Sequence, residues 1–210
     1  MDWNKLKGKF ITFEGGEGVG KTTQSKKLVE TIQQAGFDAE WTREPGGCPA
    51  AEKIRQVFLD NESNWDTMTE MLLAYSARRM HTEKKIKPAI EEGKIVISDR
   101  YLDSTTAYQG YADGLDTKII NLASKIVLGN FKPDLTIVLD MDVEDTLKRV
   151  EKRDGNNRFD EASKEFYNKI RHGFLDIAKK NKDRILVMDA TDMNIDELHN
   201  KILDVLDKRF

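Results

Sequence analysis

The sequence predicts an α/β fold in which a parallel sheet carries helices on both faces. Short apolar runs alternate with helical patterns along the 210 residues, which is typical of parallel strands joined by crossover helices. A glycine-rich GxxxxGK[ST] motif also stands between the first apolar run and the first helical pattern, as a strand–loop–helix unit for phosphate binding requires. The sequence contains no internal repeat, low-complexity tract or linker, so we expect one domain over residues 1–210.

The predicted strands are short, and several are apolar throughout, as strands buried on both faces should be. In chain order they cover residues 10–14, 39–42, 95–98, 135–140 and 185–189. The first helix is predicted over residues 22–35, because Leu28, Ile32 and Ala35 recur at helical spacing. Helices between parallel strands imply right-handed crossovers.

The composition argues against several classes of protein. The 34 basic and 37 acidic residues give a net charge of −3, so no overall positive field indicates nucleic-acid binding. Cys48 is the only cysteine, which excludes an intrachain disulfide and fits a reducing compartment. No apolar run approaches the roughly 20 residues that span a bilayer, and the first residues lack the apolar stretch of a signal peptide. We therefore expect a cytoplasmic protein that binds neither nucleic acid nor a membrane.

The glycine-rich motif predicts a bound nucleoside triphosphate. Its members are Gly15, Gly16, Glu17, Gly18, Val19, Gly20, Lys21 and Thr22. In such a loop the backbone N–H groups converge on a polyphosphate, the lysine reaches the outer phosphates and the threonine hydroxyl can hold Mg²⁺. The helix that follows adds the positive field of its N-terminus.

Charged residues follow two other predicted strands, at the sheet edge where α/β proteins bind ligands. Arg43 and Glu44 follow the second strand, and Asp99 and Arg100 follow the third. Asp99 stands where phosphate-loop proteins keep a carboxylate near Mg²⁺, and an adjacent arginine can grip a second phosphate. Asp140 and Asp142, after the fourth strand, are interpreted as a surface ion pair or a helix cap.

Two sets of phosphate-binding groups favour phosphoryl transfer between nucleotides over a GTPase-type switch, which would also need an NKxD motif that the sequence lacks. The polar stretch 152–157, Lys-Arg-Asp-Gly-Asn-Asn, is either a mobile loop or an ordinary solvated turn, and composition alone favours the turn. Arg149 and Arg153 lie four residues apart, which places both on one helix face if the helix extends that far.

Three motifs resemble the thymidylate kinase family. They are FEGGEGVGKTTQ at 13–24, TREPGG at 42–47 and DRYLDSTTAYQG at 99–110. The resemblance spans essentially the whole chain. It implies the P-loop nucleoside-monophosphate-kinase fold, with a five-stranded parallel sheet in the order 2-3-1-4-5 and a short mobile lid at about 149–160. It also implies a homodimer and the Mg²⁺-dependent conversion of dTMP and ATP to dTDP and ADP, in dTTP synthesis for DNA replication.

The resemblance carries roles over to residues of the acceptor site. Glu17 matches a carboxylate near the acceptor 3′-hydroxyl, Arg43 and Arg100 match arginines on the acceptor phosphate, and Arg78 matches the arginine that donates to a thymine carbonyl. The positions that line the base and deoxyribose are Thr105, Gln109 and Tyr108. One departure is Ala74, where many members stack an aromatic ring on thymine; Tyr75 would point about 100° away around the helix.

The resemblance also locates the catalytic groups. Lys21, Asp99 and Arg100 are expected to act in catalysis, with Thr22 and Asp99 as the metal ligands. Some members carry a basic residue directly after the acidic residue of the phosphate loop, but here that position is Gly18. This glycine resembles the bacterial arrangement, in which the lid supplies the arginine. We expect Arg153 in that role, Arg158 as the next choice and Arg149 near ATP.

Two other functions stay open on the sequence. Another monophosphate kinase of the same fold could use dUMP or a different acceptor, because one methyl group changes specificity by only about 1–3 kcal/mol. A regulatory protein could instead bind ATP without transferring phosphate. Arg43 and Arg100 argue against the regulatory protein, since it would not need a second phosphate site.

Overall fold

The computed structural model of the protein describes residues 1–60, 62–151 and 163–210. Its centre is a five-stranded parallel sheet in the order β2-β3-β1-β4-β5. The strands are β1 (Phe10–Glu14), β2 (Ala39–Arg43), β3 (Ile95–Asp99), β4 (Leu135–Asp140) and β5 (Ile185–Asp189). The predicted sheet order is confirmed, and each strand lies within one residue of its predicted bounds.

Helices connect consecutive strands. A 3₁₀-helix (Trp3–Leu6) precedes β1, and α1 (Lys21–Gln34) follows it. Between β2 and β3 lie α2 (Pro49–Phe58), α3 (Thr67–His81), a π-helical segment (Thr82–Ile86) and α4 (Lys87–Glu91). Between β3 and β4 lie α5 (Leu102–Thr105), a second π-helical segment (Thr106–Ala112) and α6 (Thr117–Leu128). The helices α7 (Val143–Glu151) and α8 (Lys164–Lys180) precede β5, and α9 (Ile195–Arg209) follows it.

Both faces of the sheet are buried because successive strand residues point to opposite sides. On one face Ile11, Ile97 and Ile137 pack in a core that includes residues of α1 and α9. On the other face Val138 packs against α8, and Phe10 packs in a further cluster next to the π-helical segment after α3. The continuous apolar runs of the sequence therefore correspond to strands covered on both sides, as predicted.

The sheet register brings the ends of three strands together. Phe13 of β1 and Arg43 of β2 are both registered with Asp99 of β3. The backbone continues this arrangement past the strands, since the N–H of Glu44 donates to the carbonyl of Asp99 (3.0 Å) and the N–H of Arg100 to the carbonyl of Phe13 (2.9 Å). The loops that carry the charged residues therefore meet at the carboxyl edge, where α/β sheets bind ligands. Within the described ranges, no helix has the length and apolar character needed to cross a membrane.

Candidate active site

The glycine-rich loop connects the end of β1 to the start of α1 and leaves the helix terminus open. Gly20 is the N-cap in a left-handed conformation (φ +99°), and no side chain in the described part of the chain caps this helix. The first N–H groups of an α-helix have no partner within the helix, and its dipole favours negative charge at this end. The loop and the helix terminus therefore form an anion site of the kind that binds nucleotide phosphates.

Two glycines of the loop lie so close to neighbouring elements that Gly15 has no room for a side chain and Gly18 has little. A Cβ on Gly15 would lie 2.4 Å from the carbonyl oxygen of Leu139 in β4, the strand next to β1. A Cβ on Gly18 (φ +74°) would lie 3.0 Å from the carbonyl oxygen of Thr146 and 3.1 Å from Cγ2 of Val150. The loop thus rests on β4 on one side and on α7 on the other.

Lys21 begins α1 and is buried within this loop. Its Nζ donates to the carbonyl oxygen of Gly16. Burial lowers the pKa of Lys21 to about 8, and the positive charge of Arg100 acts in the same direction. A polyphosphate beside Nζ would favour the charged form of the lysine, so protonation of Lys21 is coupled to filling of the loop.

Thr22 and Asp99 meet across the strand ends and offer oxygen ligands. The hydroxyl of Thr22 donates to Oδ2 of Asp99. Oδ1 of Asp99 is buried and has no hydrogen-bond partner among the described residues, an arrangement that costs free energy until a cation or water satisfies it. Hydroxyl and carboxylate oxygens suit Mg²⁺, which takes its other ligands from water and phosphates. The pair therefore fits Mg²⁺.

Arg100 joins the loop to the second half of the cleft. Its guanidinium forms an ion pair with Glu17 and donates to the carbonyl of Gly15 (3.3 Å), to Oγ of Ser104 (3.1 Å) and to the hydroxyl of Tyr108 (3.0 Å). Burial disfavours the charged guanidinium, but the carboxylate of Glu17 raises the pKa of Arg100 above its ordinary value. Arg100 therefore stays charged and is held in one direction by several partners.

Two further arginines lie close to Arg100. Arg43, at the end of β2, lies 3.4 Å from a carboxylate oxygen of Glu52, and its side chain is 39% exposed. Arg55 of α2 donates to the carbonyl of Pro45 (2.6 Å). Burial and the positive charges of Arg43 and Arg100 lower the pKa of Arg55. Three guanidinium groups that face one cleft form a site for a multiply charged anion.

Arg55 is a charged residue of the site that the sequence did not reveal. It faces the same cleft as Arg43 and Arg100. The available signal was its position one turn after Glu52 on the helix that follows the TREPGG motif. Glu52 accepts the N–H of Gly47 (2.8 Å), which ties the start of that helix to the loop and fixes the direction of its next turn.

The cleft has a volume of about 510 Å³ and continues from the arginines to a more apolar end. All seven residues predicted for the acceptor site line it: Glu17, Arg43, Arg78, Arg100, Thr105, Tyr108 and Gln109. Ala74 lines it as well, together with Phe58 and Leu59. The amide of Gln109 donates to Glu70 (3.0 Å), which fixes its orientation. The structure therefore brings the predicted acceptor residues together.

Tyr75 does not take the place of the ring missing at position 74. It is buried, and its hydroxyl donates to the carbonyl of Ile120 (3.2 Å). Its ring lies 4.9 Å from the guanidinium carbon of Arg78, which also lies 5.4 Å from the ring of Tyr101. Tyr75 thus contacts Arg78 and is not part of the cleft lining, which agrees with the prediction that it points away from position 74.

The remaining predicted residues lie at or beyond the edge of the described chain. Arg153 and Arg158 fall in 152–162, outside the described residues. Arg149 lies on α7, with its Cβ 3.6 Å from where a Cβ of Gly18 would be, so it adjoins the phosphate loop.

Arg171 pairs with both carboxylate oxygens of Asp140 (2.8 and 3.0 Å), and Asp142 accepts the N–H of Glu144 (2.9 Å). The interpretation of these two aspartates as an ion pair and a helix cap agrees with this geometry.

Comparisons with known proteins give one consistent result. The family model described as "Thymidylate kinase" matches residues 13–202. The thymidylate kinase of Caulobacter vibrioides is 42% identical over 203 residues, which cover 96% of this chain and 97% of that protein. That of Wolbachia pipientis wMel is 46% identical over 198 residues, which cover 93% of this chain and 98% of that protein. The crystal structure of thymidylate kinase from Ehrlichia chaffeensis, 37% identical, superposes with a TM-score of 0.79 and covers 96% of this chain and 99% of that one.

Proposed function

The chain belongs to the thymidylate kinase family, and we propose that its cleft binds dTMP next to an ATP molecule held by the glycine-rich loop. The protein is a nucleoside monophosphate kinase that phosphorylates dTMP to dTDP with ATP as the donor, in the synthesis of dTTP. The observation that supports this placement best is the position of Arg100. It contacts the loop at Gly15 and points into the same cleft as Arg43 and Arg55.

Each part of the cleft then has a role in phosphoryl transfer. The loop N–H groups and Lys21 hold the β- and γ-phosphates of ATP, with Arg149 nearby. Arg43, Arg55 and Arg100 hold the phosphate of dTMP, so that its oxygen faces the γ-phosphorus. Negative charge spreads over the equatorial oxygens in the transition state, and fixed cations that are already in place lower the barrier. Mg²⁺ held by Thr22 and Asp99 would neutralise part of the charge on the ATP phosphates.

The nucleoside end of dTMP is proposed to lie against Glu17, Tyr108 and Arg78. Glu17 accepts from the 3′-hydroxyl, and the ring of Tyr108 lies beneath the deoxyribose. Arg78 donates to a carbonyl of thymine, with Thr105 and Gln109 beside the base. Ala74 supplies little apolar surface to the base, whereas Phe58 and Leu59 supply more. The absence of a stacking ring at position 74 weakens binding by on the order of 1 kcal/mol.

The closest rival function is phosphorylation of a different monophosphate, and a coupled assay of ADP release tests it. With ATP and Mg²⁺, we expect dTMP to give the highest kcat/KM among dTMP, dUMP, UMP, CMP, AMP and GMP. Activity with dUMP should be about 10- to 200-fold lower, because the two bases differ by one methyl group. A larger kcat/KM for any other acceptor, or ATP binding with no transfer, would contradict the proposed function.

We propose that residues 149–160 close over ATP as a lid and that Arg153 stabilises the transition state. The residue that follows Glu17 in the loop is a glycine, so the loop itself supplies no arginine. Arg153→Ala is expected to lower kcat by about 10³-fold, roughly 4 kcal/mol of barrier, with little change in the KM values. Single-turnover kinetics would measure the chemical step directly.

The matched control for Arg153 is Lys148→Ala. Lys148 is an exposed cation of α7 that pairs with Asp145, and its removal should leave kcat within about twofold, since exposed ion pairs contribute little. An Arg153→Ala variant with the kcat of the wild type would exclude this assignment. Arg158→Ala would then be the next variant to measure.

We also propose that the protein forms a homodimer in the cytoplasm. α3 and α6 pack on each other and expose large apolar side chains, among them Leu72, Leu122 and Ile126. Ile126 is 75% exposed, and clustered exposed apolar residues of this size are typical of protein–protein contacts. Sedimentation velocity over a range of protein concentrations measures the oligomeric state.

A further inference from the structure

We infer that Thr42, His81 and Glu44 form a hydrogen-bonded relay that positions Arg78, so that Thr42 and His81 influence recognition of the acceptor base without touching it. This inference rests on the proposed role of Arg78 in binding thymine. Thr42 and His81 lie outside the lining of the cleft, whereas Glu44 and Arg78 are part of it.

The relay begins with a buried ion pair. Nε of Arg78 donates to Oε2 of Glu44 at 2.7 Å, and both side chains are 3% exposed. Nη1 donates to Oγ1 of Thr105 (3.1 Å) and Nη2 to the carbonyl of Tyr101 (2.9 Å). Burial disfavours the charged guanidinium, but Glu44 raises the pKa of Arg78 above its ordinary value. These bonds use three of the five N–H groups of a guanidinium, which leaves two for a ligand.

His81 occupies the other oxygen of Glu44. Its Nδ1 lies 3.0 Å from Oε1 of Glu44, its Nε2 lies 2.6 Å from Oγ1 of Thr42, and its side chain is fully buried. Arg78 and His81 are three residues apart on α3 and so project from one face of the helix. The carboxylate of Glu44 therefore bridges both residues and cannot turn about its own axis without breaking one of the two bonds.

The backbone at Gly47 leaves room for the relay because it carries no side chain. A Cβ on Gly47 would lie 2.4 Å from Nε2 of His81 and 2.6 Å from Oγ1 of Thr42, and Gly47 has φ +91°. The loop after β2 thus lies directly on the bond between His81 and Thr42 and excludes water from it. A hydrogen bond in such surroundings is stronger than one in water, and an unpaired group there is more costly.

The geometry gives each member a distinct effect. Without the Thr42 hydroxyl, Nε2 of His81 is buried and unpaired. Because this is unfavourable, we expect the imidazole to rotate toward another hydrogen-bond partner. Oε1 of Glu44 is then released, and Arg78 loses its fixed direction toward the base. The glycine-rich loop and Lys21 make none of these contacts, so the affinity for ATP should not change.

The test compares Thr42→Val with Thr42→Ser. Valine keeps the size of threonine and removes the hydroxyl, whereas serine keeps the hydroxyl. We expect Thr42→Val to raise the KM for dTMP about tenfold, the effect of losing one well-placed hydrogen bond to a charged network, with the KM for ATP unchanged. Thr42→Ser should restore the wild-type KM for dTMP.

A second readout separates positioning from general loosening of the fold. At ring position 4, cytosine has an amine and thymine a carbonyl. An Arg78 fixed toward that carbonyl therefore discriminates against dCMP. The ratio of kcat/KM for dTMP to that for dCMP should fall several-fold in Thr42→Val and also in His81→Leu, because leucine has no hydrogen-bonding group for Thr42 or Glu44. Thermal unfolding of each variant, followed by circular dichroism, shows whether it is folded at the assay temperature.

The possible results are distinct. An unchanged KM for dTMP in both folded variants, or equal rises in KM for dTMP and ATP, would overturn the relay. A tenfold rise for dTMP alone, with a reduced dTMP-to-dCMP ratio and rescue by serine, would support it. A wild-type protein that does not phosphorylate dTMP would refute the proposed function, and the variants are not needed for that conclusion.

Discussion

Replacing Lys21 with alanine is expected to lower kcat by about 10⁴-fold or more, equivalent to roughly 5 kcal/mol of barrier. Lys21 is buried in the glycine-rich loop, and its Nζ is directed at the carbonyl of Gly16, where the phosphates of ATP would pass. Removing it leaves the charge that develops on the transferred phosphoryl group without its nearest fixed cation. The N–H groups of α1 remain, so ATP binding should weaken far less than turnover.

The control for this variant is Lys27→Ala on the same helix. Lys27 is a partly exposed lysine that pairs with Asp196 at 2.8 Å, and its loss should change neither kcat nor ATP binding beyond about twofold. Single-turnover rates and ATP titrations should be measured for both variants. A Lys21→Ala enzyme that turns over within tenfold of the wild type would show that the loop does not hold the reacting phosphates.

Replacing Arg100 with alanine is expected to lower kcat/KM for dTMP by about 10⁴-fold, again roughly 5 kcal/mol. Two losses combine in this estimate. The proposed site for the acceptor phosphate loses one of its arginines, and the carboxylate of Glu17 loses its ion pair with Arg100. The pair is partly buried, so its loss adds to the cost.

Two further variants are compared with Arg100→Ala: Arg100→Lys, which keeps the positive charge, and Arg79→Ala, the control. Lysine keeps the charge but lacks the fork, so an intermediate loss of about 10²-fold in kcat/KM is expected. Arg79 is a half-exposed arginine of α3 whose ion pair with Glu83 lies on the helix surface, and Arg79→Ala should leave kcat/KM within a few-fold. Steady-state kinetics with dTMP varied at saturating ATP measures all three. Equal values for Arg100→Ala and Arg79→Ala would exclude Arg100 from the acceptor site.

Features that depend on neighbours in the sequence could be predicted well. The five strands lie where the short β-like runs of the sequence place them, and several of these runs are apolar because the strands are buried on both faces. Asp99 and Arg100 could be assigned to the site because they directly follow a strand, and parallel strands end at one edge of the sheet. The strand order followed from the family resemblance, since apolar runs alone do not determine which strands are neighbours.

Features that depend on distant contacts could not be predicted from local patterns. By spacing alone Arg78 would be a surface arginine of α3, and it is buried because Glu44, 34 residues away in the sequence, pairs with it. His81 gave no signal for the same reason, since both of its partners lie on or just after β2. Arg55 faces the cleft because the TREPGG loop fixes the start of α2, which its helical spacing does not reveal.

The contact between Gly18 and α7 limits how this enzyme could evolve. A residue with a side chain at position 18 would meet the backbone of Thr146 at 3.0 Å and would have to adopt a positive φ. An arginine at position 18 would therefore not simply take over the catalytic role that we propose for Arg153. Its Cβ would also require Thr146 and Val150 of α7 to move by a few tenths of an ångström. Moving the catalytic cation from the proposed position at Arg153 to the phosphate loop would therefore require changes in both the loop and α7. A protein with only one of these changes should be inactive.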